Sequence, residues 1–139
     1  MYKLFITLLL TCSLSLIASE INWAKDYSSG MESAKKLNKP VFFVSSRHTC
    51  RYCVQLDNTT FKDDKVIKEL NKSFISIIAY SDEKDYMPPH LWTPGTPALW
   101  FLLPNGTPMY QPLMGAIDTL NFLDAIAIVK EDFNKGKDK

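Results

Sequence analysis

Two cysteines follow closely after a short apolar run, and this arrangement constrains the fold more than any other feature of the chain. The apolar run occupies 41–44 (Val-Phe-Phe-Val), and the pair is Cys50 and Cys53. A continuous apolar run of this length is typical of a central strand buried on both faces. If a helix begins at Cys50, its N-terminal amides stabilise a thiolate there, and Cys53 lies one turn later. The spacing therefore indicates a dithiol–disulfide redox site.

The first 19 residues have the layout of a secretory signal peptide. Lys3 is the only charged residue before Glu20, and an apolar stretch with a few Ser and Thr leads to small residues at its end. We expect cleavage after Ala18 or Ser19, although an uncleaved anchor is an alternative. The prediction is a signal peptide at 1–19 and one domain at 20–139, in an exported, periplasmic protein.

Removal of this segment leaves a formally neutral chain with a single cysteine pair. The cysteine count falls from 3 to 2 with the loss of Cys12, and Lys plus Arg falls from 16 to 15, equal to the 15 Asp plus Glu. A neutral chain offers no basic face for nucleic acid. A disulfide between Cys50 and Cys53 would close only a short loop and would constrain the unfolded chain weakly. A gain in stability is therefore a poor explanation for the pair. One neutral domain is compatible with a monomer.

Hydrophobic periodicity and turn residues predict an order of helices and strands. Strand, helix and strand are followed by an antiparallel hairpin and a closing helix, which indicates an α/β fold with a mixed sheet of four to five strands and helices on both faces. The predicted elements are an amphipathic helix over 23–37, a strand at 41–44, a helix over 50–58, a short helix capped by Asp63 or Asp64, strands at 74–79, 98–103 and 107–110, a helix over 118–133 that is apolar nearly all round, and a frayed tail at 134–139.

The connection at 81–95 is long for a small domain, and such loops are often functional. It contains three prolines together with Leu91 and Trp92. These two side chains could form a lip that binds a partner, or an aromatic plug folded over the core.

Three motifs follow one another along the chain. They are Cys50 and Cys53 after the first core strand, Thr96-Pro97 opening a later strand, and Asn105-Gly106 followed by Gly115 and a helix. Together they resemble the thioredoxin superfamily, over about 23–133. The first helix also bears Trp23, and Lys39-Pro40 precedes the first core strand, which is similar to exported members of the Dsb type.

The resemblance implies a thioredoxin-like fold and a thiol–disulfide oxidoreductase. In that family the proline that opens the later strand is cis and lies against the Cys pair. The resemblance further implies that Cys50 is the nucleophile and that Cys53 resolves the mixed disulfide. We also expect the Arg51 charge to favour the Cys50 thiolate electrostatically. The predicted site comprises Cys50 and Cys53 as catalytic residues, and Arg51, Tyr52, Thr96 and Pro97 as substrate-binding residues.

The same resemblance suggests partners and a direction of electron flow. Thr96 before the proline is more usual in reductants than in strong oxidants, so we expect reduction of protein disulfides. The expected partners are protein disulfide or thiol substrates, with a membrane-embedded thiol carrier as electron donor. No cofactor is expected.

Two positions depart from the thioredoxin pattern. Val44 stands where the family has a buried acid that assists proton transfer, and Thr49 replaces the Trp before the first Cys. Proton handling would then use His48, Glu83 or water. These changes favour a partner-restricted exported protein over a general thioredoxin.

Two other classes of function stay open at this point. A thioredoxin-like fold could carry a copper chaperone, in which Cys50, Cys53 and His48 bind Cu(I), since soft thiolates suit that ion. A zinc site normally needs four ligands, and only His48 and His90 stand beside the two cysteines. A redox-inactive binding protein with an inert Cys pair is the other alternative. We predict no metal site.

Overall fold

The computed structural model describes residues 20–137. The predicted signal peptide at 1–19 and the last two residues lie outside the described residues. The helices and strands are α1 (Tyr27–Leu37), β1 (Val41–Ser46), α2 (Arg51–Asn58), α3 (Asp64–Ser73), β2 (Ile75–Tyr80), β3 (Ala98–Leu102), β4 (Leu113–Met114) and α4 (Thr119–Lys137), with short 3₁₀ turns at Thr60–Lys62, Ser81–Glu83 and Pro89–Leu91.

The apolar run before the Cys pair forms the centre of a four-stranded mixed sheet. The strand order is β2-β1-β3-β4. β1 pairs parallel with β2 and antiparallel with β3, and β3 pairs antiparallel with β4. All six residues of β1 are buried, as expected for a strand covered on both faces. The predicted α/β class and mixed sheet are confirmed.

Alternate side chains of β1 enter two separate apolar clusters. Phe42 and Val44 pack with residues of α2, α3 and α4 on one face of the sheet. Val41 and Phe43 pack with α1 and with Leu91 of the β2–β3 connection on the other face. Because both faces of β1 pack against the core, the core fixes the position of the end of this strand. The Cys-bearing loop begins there.

The first helix begins later than the sequence predicted. Asp26 is its N-cap, and its Oδ1 accepts a hydrogen bond from the Ser29 amide at 2.7 Å. A capping carboxylate of this kind satisfies an otherwise unpaired amide, which favours a helix start directly after it. Trp23 therefore precedes the helix and forms a parallel bridge with Ser76 at the outer edge of β2.

The predicted hairpin strand at 107–110 is largely wrong. The chain does turn back at Gly106, which has a φ of +90° and whose amide donates to the Leu103 carbonyl at 2.9 Å. Pairing at this point is limited to an isolated antiparallel bridge between Leu102 and Pro108. Proline has no amide to donate, which prevents a regular ladder. The paired strand is β4, further along the chain.

The last helix is longer and less apolar than predicted. It continues to Lys137, so residues 134–137 of the expected frayed tail are helical. Leu120 and Ile128 are exposed to solvent, 76% and 56% respectively. The buried residues Phe122, Ile126, Val129 and Phe133 recur every three or four positions. α4 is therefore amphipathic, with one face against the sheet.

Within residues 20–137, no helix combines the length and the apolar character that a membrane crossing requires.

α1 approaches β2 closely because Gly30 lacks a side chain. A Cβ atom at this position would lie 2.5 Å from Cγ1 and Cδ1 of Ile77 and 3.1 Å from the Cβ of Ala24. Ile77 is itself buried, so it has little room to move. The contact between helix and sheet depends on glycine here.

We expect Gly30→Ala to lower the free energy of unfolding by about 1 kcal/mol, because the overpacking cost of roughly 1–3 kcal/mol exceeds the helix-propensity gain of up to about 1 kcal/mol. Urea denaturation measures the change. Adding Ile77→Val, which removes Cδ1, should recover part of the loss, so that the two substitutions are not additive.

Gly136→Ala is the matched control, because a Cβ there meets no atom within 4 Å. It lies near the end of α4, and we expect its effect on stability to be neutral or slightly favourable. A Gly30→Ala variant as stable as this control would contradict the close approach of α1.

Candidate active site

Cys50 occupies the N-cap position of α2. The loop after β1 delivers it there with extended backbone angles, φ −87° and ψ 120°. Its Sγ accepts a hydrogen bond from the Cys53 amide at 3.2 Å, and its carbonyl accepts from the Val54 amide at 3.0 Å. Amides in the first turn of a helix have no partner within the helix, so the sulfur takes the place of a capping oxygen.

The two thiols differ in their access to solvent. Both are free, Cys50 being partly exposed and Cys53 only 1% exposed. A disulfide substrate can therefore reach Cys50 first. Cys53, one turn later and beneath it, is placed to react with Cys50 rather than with solvent molecules.

Thr96 and Pro97 lie against the Cys pair, and the peptide bond between them is cis. The Cys50 thiol donates to the Thr96 carbonyl, with 3.4 Å between Sγ and O. Pro97 is buried, and its carbonyl accepts from the Gly115 amide at 3.0 Å. The structure therefore brings these two sequence-predicted residues to the Cys pair, 46 positions away along the chain.

Hydrogen bonding lowers the pKa of Cys50 below that of an ordinary thiol. Partial burial is the largest single influence and acts in the opposite direction, because it disfavours the charged form. The hydrogen bonds outweigh it in sum, and they come from the Cys53 thiol, from Thr96, and from the backbone amides of Cys53 and Tyr52. Cys50 is the thiol that ionises more readily.

The pKa of Cys53 is raised. Burial is the main cause, and the hydrogen bond to the Cys50 sulfur adds to it. Hydrogen bonds with the Ser46 side chain and the Arg47 backbone act in the other direction without cancelling the effect of burial. The two thiols thus differ in charge preference, as a nucleophile and a protonated neighbour would.

Ser46 was not among the predicted site residues, because the first core strand was expected to end at residue 44. The structure extends β1 to Ser46, which is buried and hydrogen-bonds with Cys53. The available signal was the pair of polar residues, Ser45 and Ser46, that follows the apolar run on the way to the Cys pair.

Arg51 and Tyr52, which were predicted to bind substrate, are both exposed, but they interact with each other. The Arg51 guanidinium donates to the Tyr52 hydroxyl at 3.3 Å, and its Cζ lies 5.1 Å from the centre of the Tyr52 ring. The groups that lower the pKa of Cys50 are hydrogen-bonding groups, and Arg51 is not among them. The expected charge effect of Arg51 on the thiolate therefore has no support in this geometry.

The side chains considered for proton transfer are engaged elsewhere. Val44, at the position of the missing acid, is fully buried in the apolar core. The Nε2 atom of His48 lies 2.7 Å from a Glu83 carboxylate oxygen, and its ring stacks on Tyr80 with centroids 3.9 Å apart. Neither His48 nor Glu83 influences the pKa of either cysteine.

Leu91 and Trp92 each fit a different one of the two alternatives, the plug over the core and the lip that binds a partner. Leu91 is fully buried in the cluster beneath α1, whereas Trp92 is 69% exposed. Only Trp92 is available as a lip beside the site.

The part of the chain described here contains no group of three or more His, Cys, Asp and Glu side chains arranged to hold a metal ion. His48 pairs with Glu83, and the Nε2 of His90 lies 3.1 Å from the Gly106 carbonyl.

Comparison with known proteins agrees with this geometry. The family model Thioredox_DsbH, described as "Protein of unknown function, DUF255", matches residues 13–139. Spermatogenesis-associated protein 20 of Rattus norvegicus is 27% identical over 64 residues, which is 46% of this chain. The match spans only 8% of that much longer protein.

Two solved structures share the fold. A thioredoxin from Thermus thermophilus has a TM-score of 0.67 and 22% identity, covering 79% of this chain and 87% of the thioredoxin. A protein titled "DsbH Oxidoreductase" has a TM-score of 0.64 and 13% identity, covering 88% and 92% respectively. With the family match, which extends over almost the entire sequence, these likenesses lead to one conclusion: the chain belongs to the Thioredox_DsbH family and is a Dsb-type member of the thioredoxin superfamily.

Proposed function

We propose that this protein is an exported thiol–disulfide oxidoreductase that reduces protein disulfides. One observation carries the proposal: the Cys50 sulfur, at the start of α2, accepts the Cys53 amide hydrogen bond and has a lowered pKa, while Cys53 is buried with a raised one. A thiolate that is accessible and stabilised is the attacking species in disulfide exchange. A buried partner one turn away is suited to the second step.

In the proposed mechanism the Cys50 thiolate attacks one sulfur of a substrate disulfide. That bond breaks, a mixed disulfide forms, and the other substrate sulfur leaves as a thiolate that takes up a proton. Cys53 then loses its proton and attacks the Cys50 sulfur, which releases the second substrate thiol. The protein ends with a Cys50–Cys53 disulfide, and two electrons have passed to the substrate.

The Cys53 proton must leave during the second step. Formation of the mixed disulfide removes the negative charge from Cys50, so that its sulfur no longer raises the pKa of Cys53. The Ser46 side chain favours the Cys53 thiolate that forms. Since Val44 provides no acid or base, we assign the proton to water that enters with the substrate.

The substrate backbone would be held beside the Cys pair by Thr96. Within residues 20–137, the Thr96 amide donates to no other backbone group. An extended substrate segment can accept from it, as an added strand does. Arg51 and Tyr52, on the other side of Cys50, would supply the remaining contact surface, and Pro97 would support the Thr96 backbone from beneath.

The reducing direction and the cellular setting rest on the sequence. Thr96 before Pro97 favours a reductant, and the segment 1–19 favours export. A reductant outside the cytoplasm needs a continuous electron supply, for which a membrane-embedded thiol carrier is the proposed donor. We propose that the protein acts as a monomer.

The lowered pKa of Cys50 predicts selective alkylation. A thiol reacts through its thiolate, so the iodoacetamide reaction of Cys50 should reach half its maximal rate at a lower pH than that of a free thiol. Cys53, with its raised pKa and its burial, should react only at higher pH. Peptide mapping by mass spectrometry after brief labelling across a pH series measures both. Equal labelling of the two cysteines at every pH would contradict the assignment of Cys50 as nucleophile.

Substitution of each cysteine separates their roles. We expect Cys50→Ser to reduce the rate of insulin disulfide reduction to background, because no attacking thiolate remains. Cys53→Ser should also stop turnover, but should accumulate a mixed disulfide with the substrate, detectable as a mass increase. The two variants are matched controls for each other. A mixed disulfide that forms on Cys53 in the Cys50→Ser variant would reverse the assignment.

The reduction potential of the Cys50–Cys53 couple tests the direction. We expect a value near that of thioredoxin, about −270 mV, after equilibration with dithiothreitol buffers. A value nearer that of a strong oxidant, about −120 mV, would mean that the protein oxidises its substrates.

A further inference from the structure

A groove of about 230 Å³ lies beside the Cys pair, and the chemistry of the two thiols does not account for it. Its walls include Arg47 from the loop before Cys50, and Met87, Trp92 and the segment 93–96 from the long connection before β3. It is thus built from both segments that hold the nucleophile.

The groove is continuous with the reactive sulfur. Thr96, which lines it, accepts the hydrogen bond from the Cys50 thiol at 3.4 Å. On its other wall, the Arg47 carbonyl accepts from the Cys50 amide at 3.3 Å. A polypeptide that places a cysteine at Cys50 and pairs with the Thr96 backbone therefore lies next to this groove.

Trp92 is held with its ring in solvent by the residues on either side. Leu91 is anchored in the core, and the Trp92 amide donates to the Pro89 carbonyl at 3.2 Å. On the other side, the Thr93 hydroxyl donates to the Gly95 carbonyl at 2.8 Å. The tryptophan is therefore exposed on a braced segment, as are aromatic residues that dominate binding to partners.

Arg47 gives the groove a positive charge. Its side chain is exposed and makes no ion pair with any residue in 20–137. Two acids of the adjoining turn are already engaged, since Asp82 accepts from the His48 amide and Glu83 pairs with the His48 ring. Arginine with no carboxylate partner is suited to bind one from a ligand.

We propose that this groove selects substrates, and that it accepts an extended protein segment with a large apolar side chain and a carboxylate close to the reactive cysteine. The apolar side chain packs on Trp92 and Met87, and the carboxylate pairs with Arg47. In an extended chain, side chains two residues apart point to the same face and are separated by about 6–7 Å. Both side chains thus lie within about two residues of the cysteine. This inference rests on the proposed function.

The test compares short peptides whose cysteine carries a coloured nitrothiobenzoate leaving group. One peptide has Phe and Glu flanking the cysteine at two residues' distance, in both orders, and its matched versions carry Ala for Phe or Gln for Glu. The second-order rate constant of thiolate release by the reduced full-length protein is measured for each. 2-Hydroxyethyl disulfide, which has neither a ring nor a charge to bind in the groove, serves as the small substrate, and its rate is followed by the loss of free Cys50 thiol.

We expect the Phe–Glu peptide to react about tenfold faster than its Ala version, because the apolar contact is lost in the latter. Trp92→Ala should abolish that preference while leaving the rate with 2-hydroxyethyl disulfide unchanged, and Trp92→Phe should restore most of it. Arg47→Gln should lower the preference for Glu over Gln by about threefold, an effect that weakens with added salt. Leu120→Ala, an exposed apolar residue on α4, is the control and should change nothing.

The outcomes distinguish this inference from the function on which it rests. If 2-hydroxyethyl disulfide and all peptides fail to react at Cys50, the oxidoreductase proposal fails and the groove proposal with it. If 2-hydroxyethyl disulfide reacts but all peptides react equally in the wild type and in Trp92→Ala, only the groove proposal is overturned. It is also overturned if sedimentation shows dimerisation that Trp92→Ala removes, since the groove then binds a second copy.

Discussion

The structure depends on the burial of one short strand from both sides. β1 has no exposed residue, and its alternate side chains belong to the two apolar clusters on the two faces of the sheet. Burying a large apolar side chain contributes roughly 1.5–3 kcal/mol, so a strand with four such residues is among the most strongly held segments of a small domain. The loop that follows begins at this firmly held strand. The core therefore determines the position of Cys50, although this residue lies at the surface.

Burial and hydrogen bonding then give the two thiols, which are chemically identical groups, different pKa values and different exposure. Cys50 lies at the start of α2, where the Cys53 amide donates to its sulfur. The first turn of α2 places the Cys53 side chain in the protein interior. Its neighbour Ser46 occupies the end of the central strand. The asymmetry needs no charged side chain: the Arg51 guanidinium lies over the Tyr52 ring, and Val44 leaves the region beneath the site apolar.

The features that sequence reasoning predicted well are those in which neighbouring residues and the fold agree. Such agreement holds for the run of four apolar residues, the spacing of the cysteines and the Thr96-Pro97 pair. Together they predicted the sheet and the residues that lie around Cys50. The failures arose where a local contact competed with a periodic pattern. Asp26 caps α1 and thereby excludes Trp23 from it, and Pro108 cannot take part in a ladder. Apolar residues such as Leu120 satisfy a helical pattern equally well on an exposed face. The orientation of the Arg51 side chain depends on its packing with Tyr52. The spacing of residues along the sequence does not predict such a contact.

The bridge between Trp23 and Ser76 has a consequence for association between molecules. It partly covers the outer edge of β2, where the Ala24 amide also donates to the Ser76 carbonyl at 2.8 Å. At the opposite edge, β4 is only two residues long. Covered and very short edges are what natural sheets use to avoid joining other sheets. If the protein holds extended substrate segments as proposed, these edges keep its own sheet from being extended by them, and the backbone of Thr96 is left as the place for strand-like pairing.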